Sequence, residues 1–433
     1  MMSPQNLYSV SKDSQYLRNL LVGYFFMLLA VMAASNYFTV VDVVTTLWLG
    51  NISALVIFTI LLFRFSRFTT REAATAAIMA VAIHIPAIIF YGEHIFDNMK
   101  SLGQNANILS LPCYFIITGI LANECLAEKD ITAIFKILFY TTAIVAIFTL
   151  LTNINTLSRF ATDANSYEVA LNGIFPTKNN LGIFCCIGIM AGFYLFYVEK
   201  KKLLLLLLWG GTAIVLVLAL SRAAILMFAV FLFVFVIKRL TAGHYNNFRN
   251  IDSNIRKTLT VIIAAAVILF MFSGTFQDFI VSKILREDAG SAGRTDIWAD
   301  IIENFDNNII FYLFGMGFGE LNYRSAKDSH NIYINIFTTG GISKCIAYIY
   351  IFGKSLTVIR KLGKHQRLLA DLCFSVVISY LVFGIFETLV VFEFGLASFE
   401  LALLFIFVPI MQLPKPETYR SAAEARRISN AET

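Results

Sequence analysis

At 433 residues the chain is 58% hydrophobic and only 14% charged, with a mean hydropathy of +0.73. A soluble domain needs far more charge to cover its surface, so this composition excludes a soluble globular protein. The net charge of +6 is modest. The basic residues lie mostly in loops on one side of the predicted membrane, as shown below. This arrangement reflects membrane topology and argues against a nucleic-acid-binding surface.

Apolar runs of about 18 to 22 residues recur along the chain, and this length crosses a hydrocarbon core of about 30 Å. The pattern predicts an all-α polytopic membrane protein with about twelve transmembrane helices. The predicted spans are residues 17–36, 46–63, 73–91, 107–123, 131–151, 181–198, 203–220, 223–238, 258–274, 331–353, 369–387 and 394–411.

The predicted spans at 203–220 and 223–238 are separated only by Ser221 and Arg222. A single helix of about 36 residues would be nearly twice as long as the hydrocarbon core is thick, so a helical hairpin is expected. The tip of this hairpin places an arginine at the membrane surface.

Basic residues are concentrated in alternate loops, which assigns those loops to the cytoplasm by the positive-inside rule. The basic loops and tail contain Arg64, Arg67, Arg71, Lys200, Lys201, Lys202, Lys238, Arg239, Arg249, Arg256, Lys257, Lys354, Arg360, Lys361, Lys364, Arg367, Lys415, Arg420, Arg426 and Arg427. Both termini are then cytoplasmic, in agreement with an even number of spans. We expect a single transmembrane domain over residues 1–411 and a disordered cytoplasmic tail over 412–433.

The longest loop on the opposite side covers about residues 275–330, between spans nine and ten, and is too long for a simple connector. Its apolar residues recur at helical spacing, which predicts a short amphipathic helix that lies on the membrane surface and begins at Arg294. The residues of this apolar face are Ile297, Trp298, Ile301, Ile302 and Phe305. The glycines that follow are typical of turns, and they are Gly315, Gly317 and Gly319.

Three polar residues on the outer side are candidates for chemistry. Arg222 lies at the tip of the hairpin, where a guanidinium can bind phosphate through paired hydrogen bonds. Arg294 opens the predicted surface helix. His330 lies where the outer loop re-enters the membrane, and a histidine there can act as a base near neutral pH.

Each candidate also has a simpler interpretation. Arg222 can be an interfacial anchor, Arg294 a solvated loop charge and His330 a structural residue.

The outer loops lack an Asp-x-Asp pair, a histidine–cysteine cluster and a Gly-x-Ser-x-Gly motif. These absences disfavour a metal-dependent nucleotide-sugar transferase and a hydrolase. Arginines with one histidine fit a reaction in which a lipid diphosphate departs and a hydroxyl gives up its proton.

The same residues carry a resemblance to the O-antigen ligase and polymerase family, the membrane glycosyltransferases called WaaL and Wzy. The segments that carry it are Ser221–Leu226, Gly293–Trp298 with the glycines at 315–319, His330–Asn331 with Gly341, and Gly173–Gly182. The first fits the family's Arg-x-x-x-Leu at an outer helix end. Lys344 stands where the ligases usually have a second glycine, a departure that the more variable polymerases tolerate better.

The resemblance implies a GT-C-like helical fold, a periplasmic site in the bacterial inner membrane, and an inverting displacement without metal or cofactor. The residues that it assigns to the site are His330 as the catalytic group, Arg222, Arg294 and Lys178 at the diphosphate, and Asn331, Gly341 and Trp298 in support. The implied donor is an undecaprenyl-diphosphate-linked glycan. The acceptor is lipid A–core for a ligase or a lipid-linked repeat unit for a polymerase. Membrane lipid and other polysaccharide-assembly proteins are further expected partners, and nucleic acid is not.

Two other functions stay open at this point. A flippase or transporter of polysaccharide or lipid-linked oligosaccharide can have the same number of spans, and it would place charged residues near the membrane centre. Lys344 and Glu400 fall within spans, but Lys344 is expected to reach toward the cytoplasmic side and Glu400 lies near the outer side. A non-catalytic assembly protein of an envelope-glycan complex would not depend on Arg222 or His330.

Overall fold

The structure is a computed structural model, and it describes residues 4–38, 43–64, 110–122, 124, 126–155, 170–200, 202–242, 294–303, 309–315, 329–389 and 395–413. Several sequence-based predictions lie outside the described residues, namely the spans at 73–91 and 258–274, Phe305, Gly317, Gly319 and residues 414–433 of the tail. The predicted spans that lie within them coincide with helices.

All regular structure in the described residues is helical. The helices are α1 (Pro4–Asn36), α2 (Val43–Arg64), α3 (Ser110–Ala122), α4 (Glu128–Thr152), α5 (Lys178–Val198), α6 (Lys202–Leu218), α7 (Arg222–Ala242), α8 (Arg294–Glu303), α9 (Ile309–Phe314), α10 (Ile332–Leu362), α11 (Arg367–Phe383), α12 (Leu396–Ala402) and α13 (Val408–Met411). A π-helical turn, Leu403–Phe407, joins α12 to α13.

Within the described residues, 4 helices are long and apolar enough to cross a membrane: the Asp13–Asn36 part of α1, α4, α5 and α10. Shorter apolar helices accompany them, including α6 and the continuous run from α12 to α13. These lengths and compositions are those of a helical membrane protein. The total number of spans stays a prediction.

The predicted hairpin between α6 and α7 is confirmed. Leu220 follows α6 with a left-handed φ of 52°, and α7 begins at Arg222. Ser221 caps the new helix, because its Oγ accepts a hydrogen bond from the backbone N–H of Ala224 at 3.4 Å. The break therefore places Arg222 in the first turn of α7, a helix of 21 residues.

One end of the bundle, called the basic end below, gathers Arg239, Arg367, Asp371 and Tyr197. Arg239 near the end of α7 lies 3.6 Å from a carboxylate oxygen of Asp371 at the start of α11. Its guanidinium also lies over the ring of Tyr197 at the end of α5, at 5.3 Å. Because α5 and α7 end here and α11 begins here, the starts of α5 and α7 and the end of α11 meet at the opposite end. We call that opposite end the site end.

Helix α5 is the central element that holds the site end in place. It is buried along most of its length and contacts α4, α6 and α7. Small residues allow these close approaches: a Cβ on Gly192 would lie only 2.8 Å from the ring of Phe139. A helix packed on so many sides has little freedom to shift, so its first turn offers fixed positions for functional side chains.

Helix α10 is bent at Gly341, where φ is 60° and ψ is −161°. At the site end the backbone N–H of Ile332 donates to the carbonyl of Gly384 at 2.7 Å. At the basic end Gly363 packs beside Ala370. The 31 residues of α10 would span about 46 Å if straight, whereas the 17 residues of α11 span about 26 Å. The bend is what allows α10 to meet α11 at both ends.

The short helix α9 packs against this bend through backbone contacts. A Cβ on Gly341 would lie 2.5 Å from the backbone nitrogen of Phe314, and Gly315 lies against Gly340 in the same contact. Gly315 ends α9 with φ of 73°, so the turn predicted there is confirmed. Glycine suits both positions because it accepts a positive φ and has no side chain to collide with the facing backbone.

Lys344 lies just beyond the bend and is turned toward it. Its Nζ donates to the Oγ1 of Thr339 at 3.0 Å, and the residue is almost completely buried. The ammonium therefore points back past Gly341 toward the site end, and the expectation that Lys344 reaches toward the predicted cytoplasmic side is wrong. The physical reason is the bend itself, because a helix segment that ends there favours a cation beside its last turn.

Replacing Gly341 with alanine should destabilise the protein by about 2 kcal/mol or more, since the new Cβ meets backbone atoms at a strained φ. The measurement is the melting temperature of the purified protein in detergent. Gly353→Ala in the same helix is the matched control, because nothing lies within 4 Å of a Cβ there, and it should leave the melting temperature unchanged or raise it. Equal melting of Gly341→Ala and the wild type would contradict the close packing of α9 on α10.

Candidate active site

Helix α5 begins at the site end with a capped turn that carries Lys178. Thr177 is the N-cap, and its Oγ1 accepts a hydrogen bond from the backbone N–H of Asn180 at 3.2 Å. Lys178 is the first helical residue, and its Nζ atom is buried. The positive end of the helix dipole and the lysine charge together give this turn a positive potential.

Helix α7 starts beside the first two turns of α5, so Arg222 and Lys178 open neighbouring helices. The contact is made by Gly182 and Ser221, since a Cβ on Gly182 would lie 2.8 Å from the Cβ of Ser221. Gly182 is one helical turn from Lys178, about 6 Å along the axis. Ser221 directly precedes Arg222 in the chain. Two capped helix starts, each with a basic first residue, therefore lie side by side.

His330 lies in a tight turn directly before α10. Its φ of 45° is uncommon for a residue with a side chain and costs about 1 kcal/mol or more. Asn331 holds one side of the turn: its Oδ1 accepts from two backbone N–H groups in the first turn of α10, at 2.9 and 3.1 Å. Its Nδ2 donates to the carbonyl of Ile385 at 3.1 Å. The turn is therefore fixed both to α10 and to the chain that follows α11.

Glu387 connects the start of α5 to His330. Asn179, the residue after Lys178, donates from Nδ2 to one carboxylate oxygen at 2.6 Å. The other oxygen lies 3.8 Å from Nδ1 of His330. The Glu387 side chain is only 10% exposed, whereas that of His330 is 39% exposed. The imidazole thus faces a carboxylate on one side and remains accessible on the other.

Sequence reasoning did not identify Glu387. It is the last residue of the predicted span 369–387, where a polar residue is an ordinary end to an apolar helix. The available signal was an ionisable side chain at the outer limit of a span, which favours a functional role. Nothing in the sequence indicates that this carboxylate faces His330, because that contact depends on how α10 and α11 pack.

Helix α8 begins at Arg294, as predicted. The side chain of Arg294 lies outside the described part of the structure. Trp298, one turn later, donates from Nε1 to the carbonyl of Ser329 at 2.7 Å, which ties α8 to the turn that holds the histidine. On the predicted apolar face, Ile301 is completely buried and Ile302 is 66% exposed. Adjacent residues point about 100° apart around a helix, so the two occupy different parts of that face.

Lys178, Arg222 and His330 each lie at a helix start at the site end. Gly341 lies farther along α10, where it supports the contact with α9. Among the residues that the structure describes, no three histidine, cysteine, aspartate or glutamate side chains are grouped as they would be around a metal ion. Paired cations beside an oriented imidazole can bind an anion and accept a proton from a neighbouring hydroxyl.

Residues 203–349 match the family sequence model Wzy_C, described as O-antigen ligase. This segment is similar to the O-antigen ligase family. This confirms the family resemblance over the matched segment, and it indicates a role in surface-polysaccharide assembly with activity of the glycosyltransferase type. No curated protein sequence matches the chain.

The segment that matches the O-antigen ligase model does not contain the whole candidate site. It includes Arg222, Arg294 and His330, whereas Lys178 precedes it and Glu387 follows it. The contacts at the site end join these parts, because Asn179 and Glu387 meet beside His330. The matched segment and its flanking helices therefore meet at the site end.

Cysteines placed at Asn179 and Glu387 should be joined efficiently by a short bifunctional thiol reagent, because the two native side chains are in hydrogen-bond contact at 2.6 Å. The experiment uses a background without native cysteines and detects the linked peptides by mass spectrometry. The control pairs Asn179→Cys with Gln412→Cys, since Gln412 bonds to Gln366 at the basic end. Failure of the first pair to link, with both thiols reactive to maleimide, would contradict the geometry of the site.

Proposed function

We propose that the chain is an inverting glycosyltransferase that moves a glycan from undecaprenyl diphosphate to a sugar hydroxyl in surface-polysaccharide biosynthesis. The observation that carries the proposal is the position of Glu387, which contacts both His330 and the residue next to Lys178. This contact supports an arrangement in which a base lies beside the helix starts that carry Lys178 and Arg222. Transfer from a diphosphate needs such a pairing of an anion site with a base.

The donor diphosphate binds between the starts of α5 and α7. The positive ends of the two helix dipoles lie there, and Lys178 and Arg222 add full positive charges. Arg294 completes the site from the start of α8. Negative charge grows on the phosphate oxygen as its bond to the sugar breaks, so these groups stabilise the transition state more than the bound donor. They take the part that a divalent cation has in metal-dependent transferases.

His330 accepts the proton from the acceptor hydroxyl. The oxygen of that hydroxyl attacks the anomeric carbon from the face opposite the diphosphate and forms the new glycosidic bond. The bond between the anomeric carbon and the phosphate oxygen breaks, and its electron pair leaves with the lipid diphosphate. The configuration at the anomeric carbon is therefore inverted.

Glu387 is a positioning residue in this scheme. A carboxylate beside Nδ1 favours the tautomer with a proton on that nitrogen, which leaves Nε2 as the proton acceptor. It also stabilises the imidazolium that forms when the proton arrives. Asn179 holds the other carboxylate oxygen and thereby connects the orientation of the base to the helix that binds the donor.

The site end is proposed to face the periplasm of a bacterial inner membrane, with both termini in the cytoplasm. The support is the charge distribution, because Arg239 and Arg367 lie at the opposite, basic end. On this proposal residues 1–411 form one GT-C-like transmembrane domain of about twelve spans. The acceptor is either lipid A–core or a lipid-linked repeat unit, and other polysaccharide-assembly proteins are the expected partners.

Replacing Arg222, Arg294 or His330 with alanine should each lower glycan transfer by about 100-fold or more, since each change removes a charge-stabilising group or the base. Transfer is measured with purified protein, or by complementation of a deletion strain at matched protein levels. Arg360→Ala and His365→Ala are matched controls at exposed positions near the basic end, and they should retain transfer. Normal polysaccharide from all of the first three variants would favour an assembly or transport role instead.

Deletion of the gene should separate the two forms of the reaction. If the chain is a ligase, long glycan chains should remain attached to the lipid carrier, because their transfer to lipid A–core is lost. If it is a polymerase, single repeat units should appear on lipid A–core. Gel electrophoresis of surface glycans, with parallel extraction of carrier-linked glycans, distinguishes the two. Unchanged glycan length and attachment in the deletion strain would contradict both.

A further inference from the structure

A hydrogen bond from the indole of Trp298 joins α8 to the turn that contains His330. Its Nε1–H donates to the carbonyl of Ser329 at 2.7 Å, a short and well-formed bond. Ser329 directly precedes His330 and is itself buried. The peptide group between Ser329 and His330 is therefore anchored by a side chain from a separate helix.

This anchor acts on a strained segment of backbone. His330 has a positive φ, and such a conformation persists when surrounding contacts define it from several sides. On the side of α10, Asn331 makes its capping bonds. Within the turn, the Oγ of Ser329 donates to the carbonyl of Asn331 at 3.0 Å. Trp298 adds a bond from outside the turn, and it acts on the peptide that sets the direction of the imidazole.

The same helix carries Arg294. Arg294 and Trp298 are separated by four positions, which places them on one face of α8, about 6 Å apart along its axis. Ile301 lies three positions farther on that face and is completely buried, so it packs α8 against the rest of the protein. A helix held by Ile301 and by the indole N–H keeps its first residue at a defined distance from the turn at His330.

We propose that Trp298 is a positioning residue that sets the separation between the diphosphate-binding arginine of α8 and the base at His330. The inference deepens the proposed function and rests on it. Trp298 acts through the carbonyl of Ser329 and needs no contact with either substrate. When the donor diphosphate binds at Arg294, the bond from Trp298 keeps His330 in line with the acceptor hydroxyl, so loss of that bond slows the chemical step and leaves donor affinity intact.

A tryptophan near a membrane surface also has a plain role as an interfacial anchor. That role depends on the size and polarity of the ring, whereas the positioning role depends on the single N–H of the indole. Trp298→Phe separates the two, because phenylalanine keeps an aromatic ring and loses the donor. Trp209→Phe is the matched control, since Trp209 packs against the rings of Phe193 and Phe228 within the bundle.

The test measures kcat and the donor KM of the purified full-length chain in lipid nanodiscs, with a lipid-diphosphate-linked glycan as donor. Rates are expressed per folded protein, taken from the monodisperse peak of a sizing column, so that any misfolded fraction does not count. Trp298→Phe should lower kcat by about tenfold, the effect of one lost hydrogen bond, with the donor KM within about twofold of wild type. Trp209→Phe should change neither constant.

Wild-type kcat in Trp298→Phe would overturn the inference, and so would a change confined to the donor KM or an equal change in both constants. His330→Ala is measured in parallel. If His330→Ala is inactive while Trp298→Phe is normal, the inference fails and the proposed function stands. If His330→Ala retains full transfer, the proposed function fails, and with it the reason for positioning His330.

Discussion

A carboxylate at the edge of an apolar bundle is costly to bury unless polar groups surround it, and Glu387 meets this condition with groups from two distant parts of the chain. Asn179 contacts one oxygen from the start of α5, and His330 faces the other from the start of α10. These two helix starts are thereby held next to each other. The start of α7 joins them because Gly182 leaves room for Ser221, so the positions of Arg222 and Lys178 follow from the same arrangement.

The site end also has an uneven distribution of charge. Lys178, Arg222 and the two helix starts are positive, and Glu387 offsets them on the side of His330. His330 thus faces a carboxylate of its own. On the proposed function, the imidazolium is stabilised by Glu387, which leaves Lys178 and Arg222 to bind the negatively charged diphosphate. Association of an anionic donor would be assisted by the net positive potential.

The sequence was sufficient to predict features that depend on hydrophobic length and local chemistry. The helices within the described residues, the break at Ser221 and the start of α8 at Arg294 all follow from apolar runs, a capping residue and helical spacing. Contacts between helices could not be predicted in this way. Glu387 appeared to be an ordinary helix end, and Lys344 was expected to point the other way, because the bend at Gly341 is visible only once α9 and α11 are packed against α10.

The bend in α10 affects which residues of this helix lie in the hydrocarbon of the membrane. The part of α10 between Gly341 and the basic residue Lys354 contains only 12 residues and is about 18 Å long, which is shorter than the hydrocarbon thickness of about 30 Å. If α10 crosses the membrane, the residues before Gly341 must also lie in lipid, so the bend itself falls within the hydrocarbon. On this view Lys344 and Thr339 are polar partners for each other at a depth where water is absent.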